Sequence, residues 1–119
     1  MTDDEIHDFG VEVVFNQLRK EGYAIQDVNT KTGTNPQIIA KKGAELLFIA
    51  VRTACYPDKG RLEDFVRLQM VEHAKMHGAV PYFASVGIAN ANAASDEEMS
   101  VPVKGAGFYV AYEGIELIA

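Results

Sequence analysis

The sequence predicts an α/β fold in which a mixed central sheet is flanked by helices. Three observations carry that expectation. Two segments of helical period, 2–22 and 61–78, bracket three strand-like segments; the third of these, ELLFIAVRT (45–53), is an apolar run of the kind found in a strand covered on both faces; and another strand-like segment, AVPYFASVGI (79–88), follows the second helix. The chain has 119 residues, 48% of them hydrophobic, enough for one core without staples, so a single domain over 1–119 is expected.

Each element has its own signal. Thr2 followed by Glu5 forms a capping-box pattern, and Ile6, Phe9, Val13 and Leu18 then recur at helical spacing until Gly22, a suitable stop. YAIQDV (23–28) alternates in strand fashion, and NTKTGTNP (29–36) supplies turn residues before a second strand over 37–41. A Lys42-Gly43 turn leads into the apolar strand. After the loop ACYPDKG (54–60), the spacing of Leu62, Phe65, Val66, Gln69, His73, Met76 and His77 predicts that these residues share one helix face, and Gly78 ends the helix. A right-handed crossover then joins the apolar strand to a parallel neighbour over 79–88. The segment ANANAASDEEMS (89–100) reads as a polar loop, and GFYVAY and GIELIA as one or two late strands.

Charge and cysteine content narrow the function. The net charge is −6, which argues against coating nucleic acid by bulk attraction. Its distribution is uneven: residues 1–18 carry −5, residues 19–75 carry +3 and residues 76–119 carry −4, so a weak, local contact with DNA stays open in the middle of the chain. Cys55 is the one cysteine and has no partner for a disulfide; it is expected to be a small, half-buried hydrophobe. The chain opens on no signal segment and has no apolar run near the roughly 20 residues that span a bilayer, so no membrane and a cytoplasmic setting are expected.

The order and spacing of Gly10-Val11-Glu12, Gly22-Tyr23, Asn35-Pro36-Gln37-Ile38-Ile39-Ala40, Gly43 and Phe48-Ile49-Ala50-Val51-Arg52 resemble those of the PD-(D/E)XK, or restriction-endonuclease-like, superfamily. The likeness is closest to its branch of Holliday-junction-resolvase-like and YraN-like proteins and covers roughly residues 5 to 88. It implies a restriction-endonuclease-like sandwich. In that superfamily two acids on neighbouring strands hold Mg2+, and a lysine orients or helps activate the attacking water. Here Gln37 and Ala50 stand where the acids would be and Arg52 where the lysine would be. Hard cations need anionic oxygens, Ala50 offers none, and a guanidinium stays protonated, so the resemblance implies a vestigial site at Glu12, Gln37, Ala50 and Arg52 and no cofactor.

Residues two apart on a strand share a face, which places Phe48, Ala50 and Arg52 on one side. Arg52 there suits phosphate or carboxylate in bidentate fashion, or a structural salt bridge to Glu12 or another local acid. With Lys41 and Lys42 it makes up the candidate nucleic-acid contact. The alternative is a divalent-metal-dependent DNA nuclease using Mg2+ at a relocated site, with Glu12 as the first candidate ligand and Asp27 and Glu45 as lesser ones. A third reading is a protein-interaction subunit that binds no nucleic acid; a protein partner, or a homodimer packed through sheet or helix faces, belongs to either non-catalytic reading. His73 and His77, four apart behind Glu72, share the spacing of a zinc helix without its third ligand and are expected to be surface or helix-end histidines. Asn90, Asn92, Asp96, Glu97 and Glu98 lack calcium-loop spacing.

Overall fold

The computed structural model describes residues 2–31, 35–91 and 107–118. Its elements are α1 (Asp3–Lys20), β1 (Ala24–Val28), β2 (Ile38–Lys42), β3 (Glu45–Cys55), α2 (Asp64–Met76), β4 (Val80–Asn90), β5 (Phe108–Ala111) and β6 (Ile115–Leu117). The six strands form one mixed sheet in the order β1-β2-β3-β4-β5, with β6 also paired to β4. The first three strands are antiparallel neighbours, β3 and β4 run parallel through the α2 crossover, and β5 and β6 are antiparallel to β4. The fold is therefore an α/β sandwich with a mixed central sheet flanked by helices.

Side-chain parity along β3 separates two cores. Leu47, Ile49 and Val51 point to one face, where Val11, Val14 and Leu18 of α1 cover them together with Ile38, Ala40, Ala84, Val86 and Ile88. Phe48 and Ala50 point to the other, where Leu62 and Val66, Met70 and Ala74 of α2 pack with Phe83 and Ile118. A strand covered on both faces must be apolar throughout, which is why 46–51 shows no alternation.

Helix α1 starts as its capping box requires: the Thr2 hydroxyl accepts the Glu5 N–H, and the Glu5 carboxylate accepts the Thr2 N–H. The buried stripe of α2 differs from expectation. Val66, Met70 and Ala74 face the sheet, while Phe65 is 63% and Met76 82% exposed. The helix begins only at Asp64, three residues later than the apolar pattern suggested, and its axis presents the Val66 row rather than the Phe65 row to Phe48 and Ala50. Strand β4 runs on to Asn90, so the predicted polar loop starts later, and most of it lies outside the described residues, as do the oxygen-bearing side chains between 92 and 98.

Candidate functional site

The candidate site lies where β2 and β3 part. Their last paired residues are Ile38 and Ile49, and the register places Gln37 beside Ala50 on the α2 face. The Gln37 backbone N–H still donates to the Ile49 carbonyl at 3.0 Å. Beyond it the side chain continues the ladder: Gln37 Oε1 accepts the Val51 N–H at 2.7 Å, and Nε2 donates to Asn35 Oδ1 at 3.0 Å. Only an oxygen can face a backbone N–H, so the amide orientation is fixed by chemistry. Gln37 is 1% exposed, and this buried bond satisfies a strand donor that would otherwise have no partner on that side.

Arg52, two residues past Ala50, opens onto a cleft of about 250 Å3 lined by His7, Asn35, Arg52, Glu63, Phe65, Val66 and Gln69. Its guanidinium grips the Glu63 carboxylate in a fork, Nε to Oε1 at 2.9 Å and Nη2 to Oε2 at 3.2 Å, while Nη1 donates to the Val51 carbonyl at 2.9 Å. Glu63 is the N-cap residue of α2, yet its side chain makes no cap hydrogen bond and turns to Arg52 instead. That hydrogen bond, reinforced by the guanidinium charge, holds the Glu63 carboxyl below the usual carboxylate range. The approach depends on Gly60, which donates its N–H to Val86 and accepts the Ser85 hydroxyl, lying so close to the Arg52 backbone that a Cβ would overlap it.

His7 enters the cleft from α1. It is 9% exposed, and its Nε2 has no hydrogen-bond partner among the described residues. Burial, and then the Arg52 charge, push its pKa below 6.5, against a smaller opposing pull from Asp8 and Asp4. The imidazole is thus neutral in the folded chain near neutrality and takes a proton more readily when unfolded. Below pH 6.5 the unfolded state binds the extra proton, so stability rises with pH up to that value and is lost on acidification. Thermal unfolding followed from pH 7.5 to 5 is expected to show Tm falling already below pH 6.5, above the range where carboxylates titrate. His7→Gln should flatten that part of the profile.

The structure brings Gln37, Ala50 and Arg52 together and leaves the other sequence candidates elsewhere. Glu12 is exposed on α1, on the side turned away from the stripe His7, Val11, Val14 and Leu18, and does not line the cleft. The salt-bridge partner of Arg52 is Glu63, not Glu12, because the loop 56–63 folds back over β3 at Gly60. Asp27 sits exposed on the edge strand β1, and Glu45 accepts the Tyr82 hydroxyl at the far end of β3. Lys41 and Lys42 also lie at that far end: Lys41 pairs with Leu46, six residues from Arg52, or roughly 20 Å along the strand. Lys42 instead rests over the Tyr23 ring at 4.6 Å. The three cations therefore do not form one patch. Cys55 is half-buried beside the α1 core, and burial pushes its thiol pKa up, which keeps it protonated.

Sequence reasoning passed over His7, Asn35 and Glu63. His7 had a usable signal, since 7, 11, 14 and 18 form a helical stripe whose other members are apolar. Nothing local distinguishes Glu63 from the flanking charges, because its partner lies eleven residues away across a loop. Among the described residues, no three His, Cys, Asp or Glu side chains are grouped so as to hold a metal ion. No described helix is long and apolar enough to cross a membrane.

No curated protein matches the chain. Residues 4–118 match the family described as a domain of unknown function (DUF8840), and since the match spans nearly the whole sequence, the chain belongs to that family.

Proposed function

We propose that the chain is a non-catalytic module on a nuclease-like sandwich, which binds a phosphate-bearing ligand such as DNA in the cleft at Arg52 without hydrolysing it. One observation supports this reading above the others. The two positions facing each other at the strand divergence carry an amide already engaged with the Val51 N–H and a methyl group that is 0% exposed, while the neighbouring cation, Arg52, lines the cleft beside the Glu63 that holds it. Among the described residues Mg2+ would find a single carboxylate there, Glu63, already held by Arg52. The relocated nuclease lacks support from Glu12, Asp27 or Glu45, none of which borders the cleft.

Glu63 occupies the guanidinium fork that a phosphate would use, so ligand and carboxylate compete for the same donors. Binding of a fluorescein-labelled branched or single-stranded DNA, followed by anisotropy at 20 mM and 150 mM salt, is expected to be weak and salt-sensitive. Arg52→Ala should weaken it, and Glu63→Gln should tighten it about three- to tenfold by freeing the fork. In parallel, millimolar Mg2+ should leave Tm unchanged, because a ligand that binds only the folded state would raise it. Plasmid cleavage in Mg2+ or Mn2+ that EDTA abolishes would overturn the proposal. DNA binding indifferent to both substitutions would remove the cleft from it.

A further inference from the structure

On the same helix, one turn and more beyond the cleft, two imidazoles stand together. His73 and His77 are four residues apart, their ring centroids are 4.8 Å apart and their planes are inclined at 78°. Both rings rest on Phe48 of β3, with centroid separations of 5.1 Å and 5.7 Å. His73 is half-buried and borders a cavity with Asn35, Gln69 and Met70, while His77 is exposed at the end of the helix. Neither ring makes a hydrogen bond to another described residue. The aromatic floor thus holds the rings side by side with no described residue engaging their nitrogens.

We propose that His73 and His77 form an open chelate for a borderline divalent transition ion of the Zn2+, Ni2+ and Cu2+ class. Two imidazole nitrogens bound at about 2.0–2.1 Å to one ion, at angles between about 90° and 110°, put the ring centroids about 4.5–5.2 Å apart, and the observed separation falls within that interval. Helical spacing of four is what lets two side chains of one helix reach one ion. Imidazole suits these ions, and no carboxylate belongs to the pair, so Mg2+ and Ca2+ are excluded from it. Phe48 restricts both rings before binding and lowers the ordering cost. With only two protein ligands, the remaining positions fall to water or to the matching pair of a second copy of the chain. The site shares no residue with the phosphate-binding reading of the cleft.

Imidazoles bind a metal in their deprotonated form, so the measurement is made at pH 7.5. Zn2+ added to the full chain at pH 7.5 should shift or broaden the imidazole proton resonances of His73 and His77 together and leave those of His7, a buried α1 residue on the separate Arg52 cleft, in place as an internal control. His77→Ala, at an exposed position, should weaken Zn2+ binding at least tenfold and release the His73 resonance; His73→Gln should do the same from the other side. One ion per chain and one per two chains both support the chelate. Resonances unmoved by 1 mM Zn2+ would overturn it, as would binding that persists in both variants, which would trace the ion to surface carboxylates.

Discussion

Gly60→Ala is expected to lower the melting temperature by about 10 °C or more, or to abolish folding outright. An added Cβ would fall on the carbonyl group and Cβ of Arg52, atoms of the central strand that cannot swing aside. Gly60 is further fixed by its bonds to Val86 and Ser85, so the loop cannot lift without breaking two contacts with β4. Overpacking against backbone costs about 3 kcal/mol or more, a large part of the stability of a chain this size. Gly43→Ala serves as the comparison: it has φ +62° but open space around it, so only the left-handed conformation is penalised, by about 1 kcal/mol. Thermal unfolding of the two variants side by side checks the argument; equal losses would mean that loop 56–63 does not press on β3.

Gln37→Leu is expected to cost about 2–3 kcal/mol, although it replaces a polar residue with an apolar one of similar size in a buried place. The Val51 N–H lies inside the protein and loses its acceptor, and a buried donor left without a partner costs about 1–3 kcal/mol. Gln37→Glu keeps an oxygen for Val51 but adds a carboxyl whose charged form burial disfavours. Its folded pKa would lie above the unfolded value, so the folded state would bind more protons and stability would fall as pH rises through that interval. Melting temperatures at pH 5 and pH 8 should therefore rank Glu above Leu at pH 5 and narrow or reverse the order at pH 8. A neutral outcome for Gln37→Leu would show that water or a rearranged strand supplies the missing acceptor.

Much of the scaffold was legible in the residues because local and global signals agree. The Thr2-Glu5 box, the apolar run 46–51 and the stop at Gly78 each point to the element found there, and the two-faced burial of β3 follows from its lack of alternation. The face of α2 was less legible. Phe65 and Val66 are adjacent apolar residues, and which of them meets the sheet is settled by the helix start at Asp64 and by the fit of Met70 and Ala74 over Phe48 and Ala50, neither of which spacing reveals. At the candidate site, Ala50 and Arg52 were readable because residues two apart on a strand share a face, whereas Gln37, just before β2, came only from the resemblance. Glu63 and Asn35 were not readable, since they arrive through loops whose paths depend on one close approach at Gly60 and one side-chain bond from Gln37.

At the outer side of the sheet, β1 carries a break in register between Ile25 and Asp27, and most of its residues are open to solvent. A strand with such a kink offers a second chain no straight row of amides and carbonyls to continue, and a carboxylate at the kink adds charge where an incoming strand would lie. That edge of the sheet is thereby a poor template for strand-to-strand pairing between copies.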